Sequence, residues 1–345
     1  MVRTSLLSAV ALAALIASPA WAGYTPNGYG LGLTQSGTVV DGAASVQSNG
    51  LWAAYTKGTQ KTTTFTVPAC QTVDYSRLLL DVYGGTPYYT GQITATLNGQ
   101  TLPTLTIGGT GAASPGMPGD GNPATHDANA TCVYGSGYGY WQIAYAGIAS
   151  MLKTDGTPNT LAFTITDPTN SGFDGRQYGA SLVTIYSDPS IQQTLSYQFF
   201  EGDSYFRSTN GSTPPSPVTA LTSSLAITGV NSTGALSATY TAGYATGHAA
   251  QLDQVYFNGT PLGAGNNVAV VDSNVENHSF NVLPYLQSSN TVNYSINGSA
   301  LGGTGESSMH ADWALLTVAQ PVPEPASLTL LAVGGLALIR RKRRG

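Results

Sequence analysis

The sequence predicts an all-β protein whose body is two tandem β-sandwiches, residues 23–190 and 191–320. Three observations carry this expectation. Runs rich in Thr, Val, Ile and Tyr alternate with Gly, Asn, Asp and Pro, the texture of strands and turns. The body has no long helical period; only residues 145–152 read as a single short turn. A set of sequence blocks recurs in the same order in both halves.

The strand-like runs in the first half are residues 77–83 (RLLLDVY), 92–97 (QITATL), 160–166 (TLAFTIT) and 180–186 (ASLVTIY). Asn98-Gly99 joins the second of these to residues 100–105 as a tight hairpin, because both central positions of such a turn favour residues that tolerate positive φ. The segment from Leu97-Asn98-Gly99 to Leu102 matches that from Phe257-Asn258-Gly259 to Leu262. An apolar turn ending at Met151-Leu152, followed by Asn159-Thr160, matches Tyr285-Leu286 followed by Asn290-Thr291. Residues 180–185 match Trp313-Ala314-Leu315-Leu316-Thr317-Val318. The first copy carries extra sequence between its first and second blocks.

A strand ending in Asn-Gly, then an apolar turn ahead of Asn-Thr and a β run, resembles the galactose-binding-like jelly rolls. That resemblance implies two jelly-roll-like sandwiches of a kind common in carbohydrate-binding modules and glycosidase accessory domains. The fold hosts many functions, so function has to come from a site. Residues 132–141 (CVYGSGYGYW), 174–180 (DGRQYGA), 187–190 (SDPS) and 201–205 (EGDSY) resemble an uncharacterised domain family of archaeal and bacterial surface proteins. This second resemblance implies an extracellular β structure and no known reaction.

The ends read as sorting segments. Residues 1–22 have a basic start at Arg3, an apolar run over 6–17 and small residues flanking Trp21, as in a secretory signal peptide. Cleavage is expected between Ala22 and Gly23, by signal peptidase after Sec-dependent export. At the other end, residues 321–345 hold Pro323-Glu324-Pro325, an apolar run over 327–339 and the basic cluster 340–344. The three parts in this order resemble the PEP-CTERM sorting signal, which implies processing by exosortase. The apolar run is short for a membrane span of about 20 residues, and snorkelling arginines lengthen it. The cluster belongs on the cytoplasmic side by the positive-inside rule, which leaves the body outside.

Charge gives a second view of the body. Only 8% of the chain is charged, against about 25% in an ordinary globular protein. Between the two sorting segments stand six cations, Lys57, Lys61, Arg77, Lys153, Arg176 and Arg207, and all 17 acids except Glu324. The body is therefore acidic by ten charges. No basic surface exists to neutralise phosphates, which argues against nucleic acid as a partner. With an apolar content of 41%, charge-driven disorder is excluded as well.

Cys70 and Cys132 are the two cysteines, and an exported body with an even count predicts one disulfide between them, with two free thiols as the alternative. Arg176 and Glu201, each set among apolar and aromatic neighbours, are expected to form a structural ion pair. Tyr138, Tyr140 and Trp141 form the candidate sugar-stacking platform, with burial in a strand as the competing reading. Asp120, Asn122, Asp127 and Asn129 offer oxygen ligands for Ca²⁺, though their spacing fits no EF-hand. No other cofactor is implied. No catalytic residue is assigned: His310-Ala311-Asp312 lacks an activated nucleophile, and no Gly-x-Ser-x-Gly occurs.

These readings point to a non-catalytic exported surface protein, structural or adhesive, associated with extracellular polysaccharide. A carbohydrate-binding module with a defined sugar site and a secreted hydrolase are the alternatives.

Overall fold

A computed structural model describes residues 30–53, 57–84, 89–108, 130–134, 140–206, 222–245, 254–262, 275–295 and 309–322. The described residues form antiparallel sheets and two single-turn 3-10 helices. The first sandwich uses β2 (Gly42–Ala53), β3 (Lys61–Thr66), β4 (Thr72–Tyr83), β5 (Thr90–Leu97), β6 (Gln100–Thr101), β7 (Leu105–Gly108), β8 (Ala130–Tyr134), β9 (Tyr140–Ala146), β10 (Pro158–Thr166) and β11 (Arg176–Ser187). The second uses β12 (Gln193–Phe206), β13 (Thr222–Ile227), β14 (Ser237–Ala245), β15 (Gln254–Phe257), β16 (Thr260–Pro261), β17 (Val275–Asn281), β18 (Asn290–Ser295) and β19 (Met309–Pro321). Ahead of both runs β1 (Gly30–Val40).

The duplication is complete at the level of strand order. In the first sandwich an inner sheet runs β2-β11-β4-β9-β8 and an outer sheet runs β3-β10-β5-β6. In the second, the inner sheet contains β12-β19-β14-β17 and the outer sheet runs β13-β18-β15-β16. Counted within each copy, and setting aside β7 and β8, both inner sheets read 1-8-3-6 and both outer sheets 2-7-4-5. The extra sequence of the first copy supplies β7 and β8, which extend sheets already formed.

One strand breaks the expected division. β1 pairs along its length with β12, at the edge of the second inner sheet. Residues 30–40 thus belong to the second sandwich, and the expected first domain of 23–190 gives them up. At Asp41 (φ 52°) the chain turns and enters β2, which pairs β11 in the first sandwich.

Each sandwich has its own core between its two sheets. Leu78, Leu80 and Trp141 face Ile93, Leu161 and Phe163 in the first. Tyr240, Leu316 and Val318 face Ile227, Phe257 and Val292 in the second. A third core lies between the inner sheets, where Leu79, Val183 and Ile185 meet Leu195, Phe199 and Trp313. The molecule therefore has four layers, and its inner strands are covered on both faces. That explains why RLLLDVY, ASLVTIY and WALLTV are almost continuously apolar, whereas β5 and β10 alternate buried with open positions.

The Asn-Gly hairpins form as expected. Asn98 and Gly99 have φ of 53° and 78°; Asn258 and Gly259 have 50° and 79°. The side chains of the two asparagines clasp the rest of the repeat. Asn98 donates from Nδ2 to Met151 O (2.8 Å) and to Asn159 Oδ1 (2.7 Å), and its Oδ1 accepts from Thr160 N (2.9 Å). Asn258 donates to Tyr285 O (2.8 Å) and Asn290 Oδ1 (2.9 Å), and accepts from Thr291 N (2.8 Å). Met151 and Tyr285 end the two 3-10 turns, the first of which falls within the short turn expected over 145–152.

Candidate functional site

The sequence-predicted residues do not gather at one place. Trp141 is fully buried in the first core, packed among the inner and outer sheets. It offers no face to a sugar, so the stacking platform loses its central ring: alternation along β9 sends Trp141, Ile143 and Tyr145 inward together. Tyr138 and the side chain of Tyr140 lie outside the described residues. So do Asp120, Asn122, Asp127 and Asn129, as well as Ala22, Gly23, Pro323, Glu324 and Pro325. Among the described residues no group of three or more His, Cys, Asp or Glu is placed to hold a metal ion, and no helix is long and apolar enough to cross a membrane.

Arg176 and Glu201 each find a charge, but not each other. Arg176 Nη2 stands 2.7 Å from Asp174 Oδ2, and its guanidinium lies 4.9 Å from the centre of the Tyr83 ring. Glu201 Oε1 accepts from Arg77 Nε at 2.6 Å. The register separates the expected partners: Arg176 opens β11 opposite Tyr83, whereas Arg77 faces Val183 further along the same strand. Partner choice is settled by how the inner sheets stack, which local sequence does not carry.

The expected disulfide is not formed at Cys70, and the strand register sets the two cysteines far apart. Cys70 is a free thiol just ahead of β4. Cys132 pairs with Trp141, which pairs with Val82 near the other end of β4. The ten residues from Thr72 to Val82 span about 33 Å at ~3.3 Å each. A disulfide needs Cα atoms within about 7 Å. Burial pushes the Cys70 thiol pKa up, and the nearby Asp188 and Asp74 carboxylates add to the rise.

What does converge is a polar layer between the inner sheets. Arg77, Asp81 and Gln142 enter from the first sandwich; Glu201, His310 and Asp312 come from the second, and all six are buried. Gln142 Nε2 donates across the layer to Asp312 O at 3.0 Å. Tyr75 stacks against Tyr197 and Phe199 beside the ion pair (centroids 5.8 and 5.9 Å). Burial holds the Tyr75 phenol well above the usual range and Glu201 raises it further, with Arg77 opposing. β-Bulges mark this level in both copies, at Gln177/Gly179 in β11 and opposite Asp312 in β19. The bulge explains why Asp312 escapes the alternation of its strand. Chemically, the Arg77–Glu201 pair is sealed from substrate and fastens two sheets together. Arg77 at the start of RLLLDVY, in a run apolar at both parities, was the sequence signal for it.

A second polar device sits at the first sandwich's β10–β11 loop. Asp167 accepts from the backbone N–H groups of Ser171 (2.9 Å), Gly172 (2.9 Å) and Phe173 (3.0 Å), and pairs with Lys57 Nζ (3.2 Å). Burial disfavours its charge, but the Ser171 and Gly172 N–H groups and Lys57 outweigh it and lower the pKa to about 2. This fixes Phe173, whose ring fills a slot left by Gly84 and Gly91, where any Cβ would collide with it.

A cleft with a polar, open wall crosses β1, β12 and β19. It encloses about 490 Å³ and is bounded by residues 229–231.

Set against known proteins, residues 31–319 match the family model "Protein of unknown function (DUF3344)", and the chain belongs to that family. Residues 321–344 match the PEP-CTERM protein-sorting motif, which marks an exported protein handled by exosortase. No curated protein matches the chain. Solved structures similar to it include PNGase F, a glycosylasparaginase from Flavobacterium meningosepticum (10% identity, 82% of this chain and 97% of that one, TM-score 0.26). Others are a conserved protein of unknown function from Pseudomonas aeruginosa PAO1 (10%, 81% and 80%, 0.27) and the ANXUR2 extracellular domain from Arabidopsis thaliana (8%, 86% and 92%, 0.27). TM-scores this low carry no functional argument.

Proposed function

We propose that this is a non-catalytic surface protein whose two jelly-roll sandwiches act as one rigid unit, structural or adhesive, in extracellular polysaccharide. The observation that carries the reading is the join between body and sorting motif. β19 ends at Pro321, paired with Gln193, and Pro323-Glu324-Pro325 begins two residues later. In the sequence, the sorting motif thus follows the last strand of the body with no spacer. The strand order 1-8-3-6 over 2-7-4-5 supports the jelly-roll reading. The signal peptide ending at Ala22 brings the chain to the Sec machinery, and exosortase acts at the motif. The test is fractionation of cells carrying Glu324→Ala. Unprocessed protein held in the membrane is expected; processing and location unchanged from wild type would overturn the sorting role.

A further inference from the structure

The second inner sheet is wider than the outer sheet that covers it, because β1 adds a strand beyond β12. On the face of this sheet turned toward the second core, the register sets side chains in rows. Ser36, Gln198 and Leu316 form one row; Thr38, Ser196 and Val318 form the next. The apolar ends of the rows are buried, while Ser36 and Thr38 are open to solvent. The result is the 490 Å³ groove, within the size range of ligand sites.

Its wall is fastened to its floor. Gln198 Nε2 donates to Thr228 O (2.9 Å), and Gln320 Nε2 donates to Asn231 O (3.2 Å) and Thr233 O (3.1 Å). An amide that spends N–H bonds this way keeps its oxygen as an acceptor. Ser196 Oγ and Thr38 Oγ1 lie 3.2 Å apart on the floor. Among the described residues no charged side chain lines the groove.

Exposed aliphatic groups collect around it. Four large apolar side chains are exposed among the described residues: Leu33, Val40, Leu236 and Tyr285. Three of them border this face. Leu33 stands opposite the core residue Phe200, and Val40 is opposite Thr194, itself paired with Gln320. Leu236 lies beside Gln320, since Ser237 pairs with Ala319.

Neutral hydroxyls and amides flanked by aliphatic groups match one ligand chemistry well. An uncharged sugar chain presents hydroxyls at its edges and C–H groups on its faces. A polyanion finds no cation among the described lining residues and meets a body acidic by ten charges. We propose that this groove binds a stretch of uncharged polysaccharide. The inference rests on the extracellular reading above and names the ligand class and the place.

The test uses the full chain purified from membranes and titrated calorimetrically with cellohexaose, laminarihexaose, mannohexaose and chitohexaose, and with an alginate hexamer as the charged probe. Binding of at least one neutral hexamer is expected, weakened ~10-fold or more by Thr38→Trp and by Ser36→Trp, which fill the groove from exposed positions. A melting temperature equal to wild type shows that each variant is folded, and the two replacements stand in for each other. Binding of none of the neutral hexamers, preference for alginate, or affinity unchanged in the folded variants overturns the proposal. Location of the Glu324→Ala protein reports separately on the sorting reading, so the two can fail independently.

Discussion

Arg77 and Glu201 lie 124 residues apart in the chain and meet at 2.6 Å between the two sandwiches, each almost sealed from water. Removing one partner strands the other in a medium that cannot solvate it. Arg77→Met or Glu201→Gln is expected to cost about 3–5 kcal/mol in urea unfolding. The double variant Arg77→Met/Glu201→Leu should recover much of that loss, since an apolar pair has no charge to desolvate. Equal costs for the double and the single variants would show that the pair does not act as a unit.

The two asparagine clasps make the same bonds in both copies, so they should fail alike. Asn98→Ala loses three hydrogen bonds and places a Cβ-branched-free but strained residue at φ 53°, costing about 2–3 kcal/mol. The Thr160 amide should then exchange its hydrogen faster. Asn258→Ala should do the same at Thr291 and leave Thr160 protected. Exchange that rises in both places for either variant would mean that the sandwiches open together.

Acid should unlock the β10–β11 loop. Asp167 has its carboxyl lowered from 3.8 to about 2. A depressed carboxyl stabilises the fold fully above its unfolded value, and that contribution is lost as pH falls through the folded one. Stability should therefore drop between about pH 4 and pH 2 in wild type, with a smaller drop over that window in Asp167→Asn. Identical acid limbs for the two proteins would remove Asp167 from the account.

Much of this architecture was legible because it is written locally. Asn-Gly sets a turn by its own φ preference, and the aligned blocks found both copies before any contact was known. The partners of Arg176 and Glu201 were not legible, because the stacking of two inner sheets chooses them. The continuous apolar runs of β4, β11 and β19 carried a further signal, burial on both faces, which the reading as two separate sandwiches left unused. Trp141 shows the limit in the other direction: an aromatic, Gly-rich string reads as a platform until strand alternation turns its ring into the core.

Thiol chemistry offers a direct check on the register. Cys70 and Cys132 lie near opposite ends of the first inner sheet, so the unfolded, unreduced protein should titrate two thiols per chain with Ellman's reagent. In the folded state Cys70 should react slowly, because burial and the nearby carboxylates keep it protonated. A value of zero thiols in monomeric protein would demand a different pairing of β4 with β9.

The second inner sheet places β12 between the earliest strand, β1, and the latest, β19. β19 also fills the gap between β12 and β14, so the facing edges of those two strands have no partner until it arrives. Until it arrives, two long strand edges stand open to neighbouring chains, the usual route to misassembly. The second inner sheet is thus completed only by the last described strand of the chain. Because the sorting motif follows β19 in the sequence, the strand that completes the sheet is also the one that joins the body to its sorting segment.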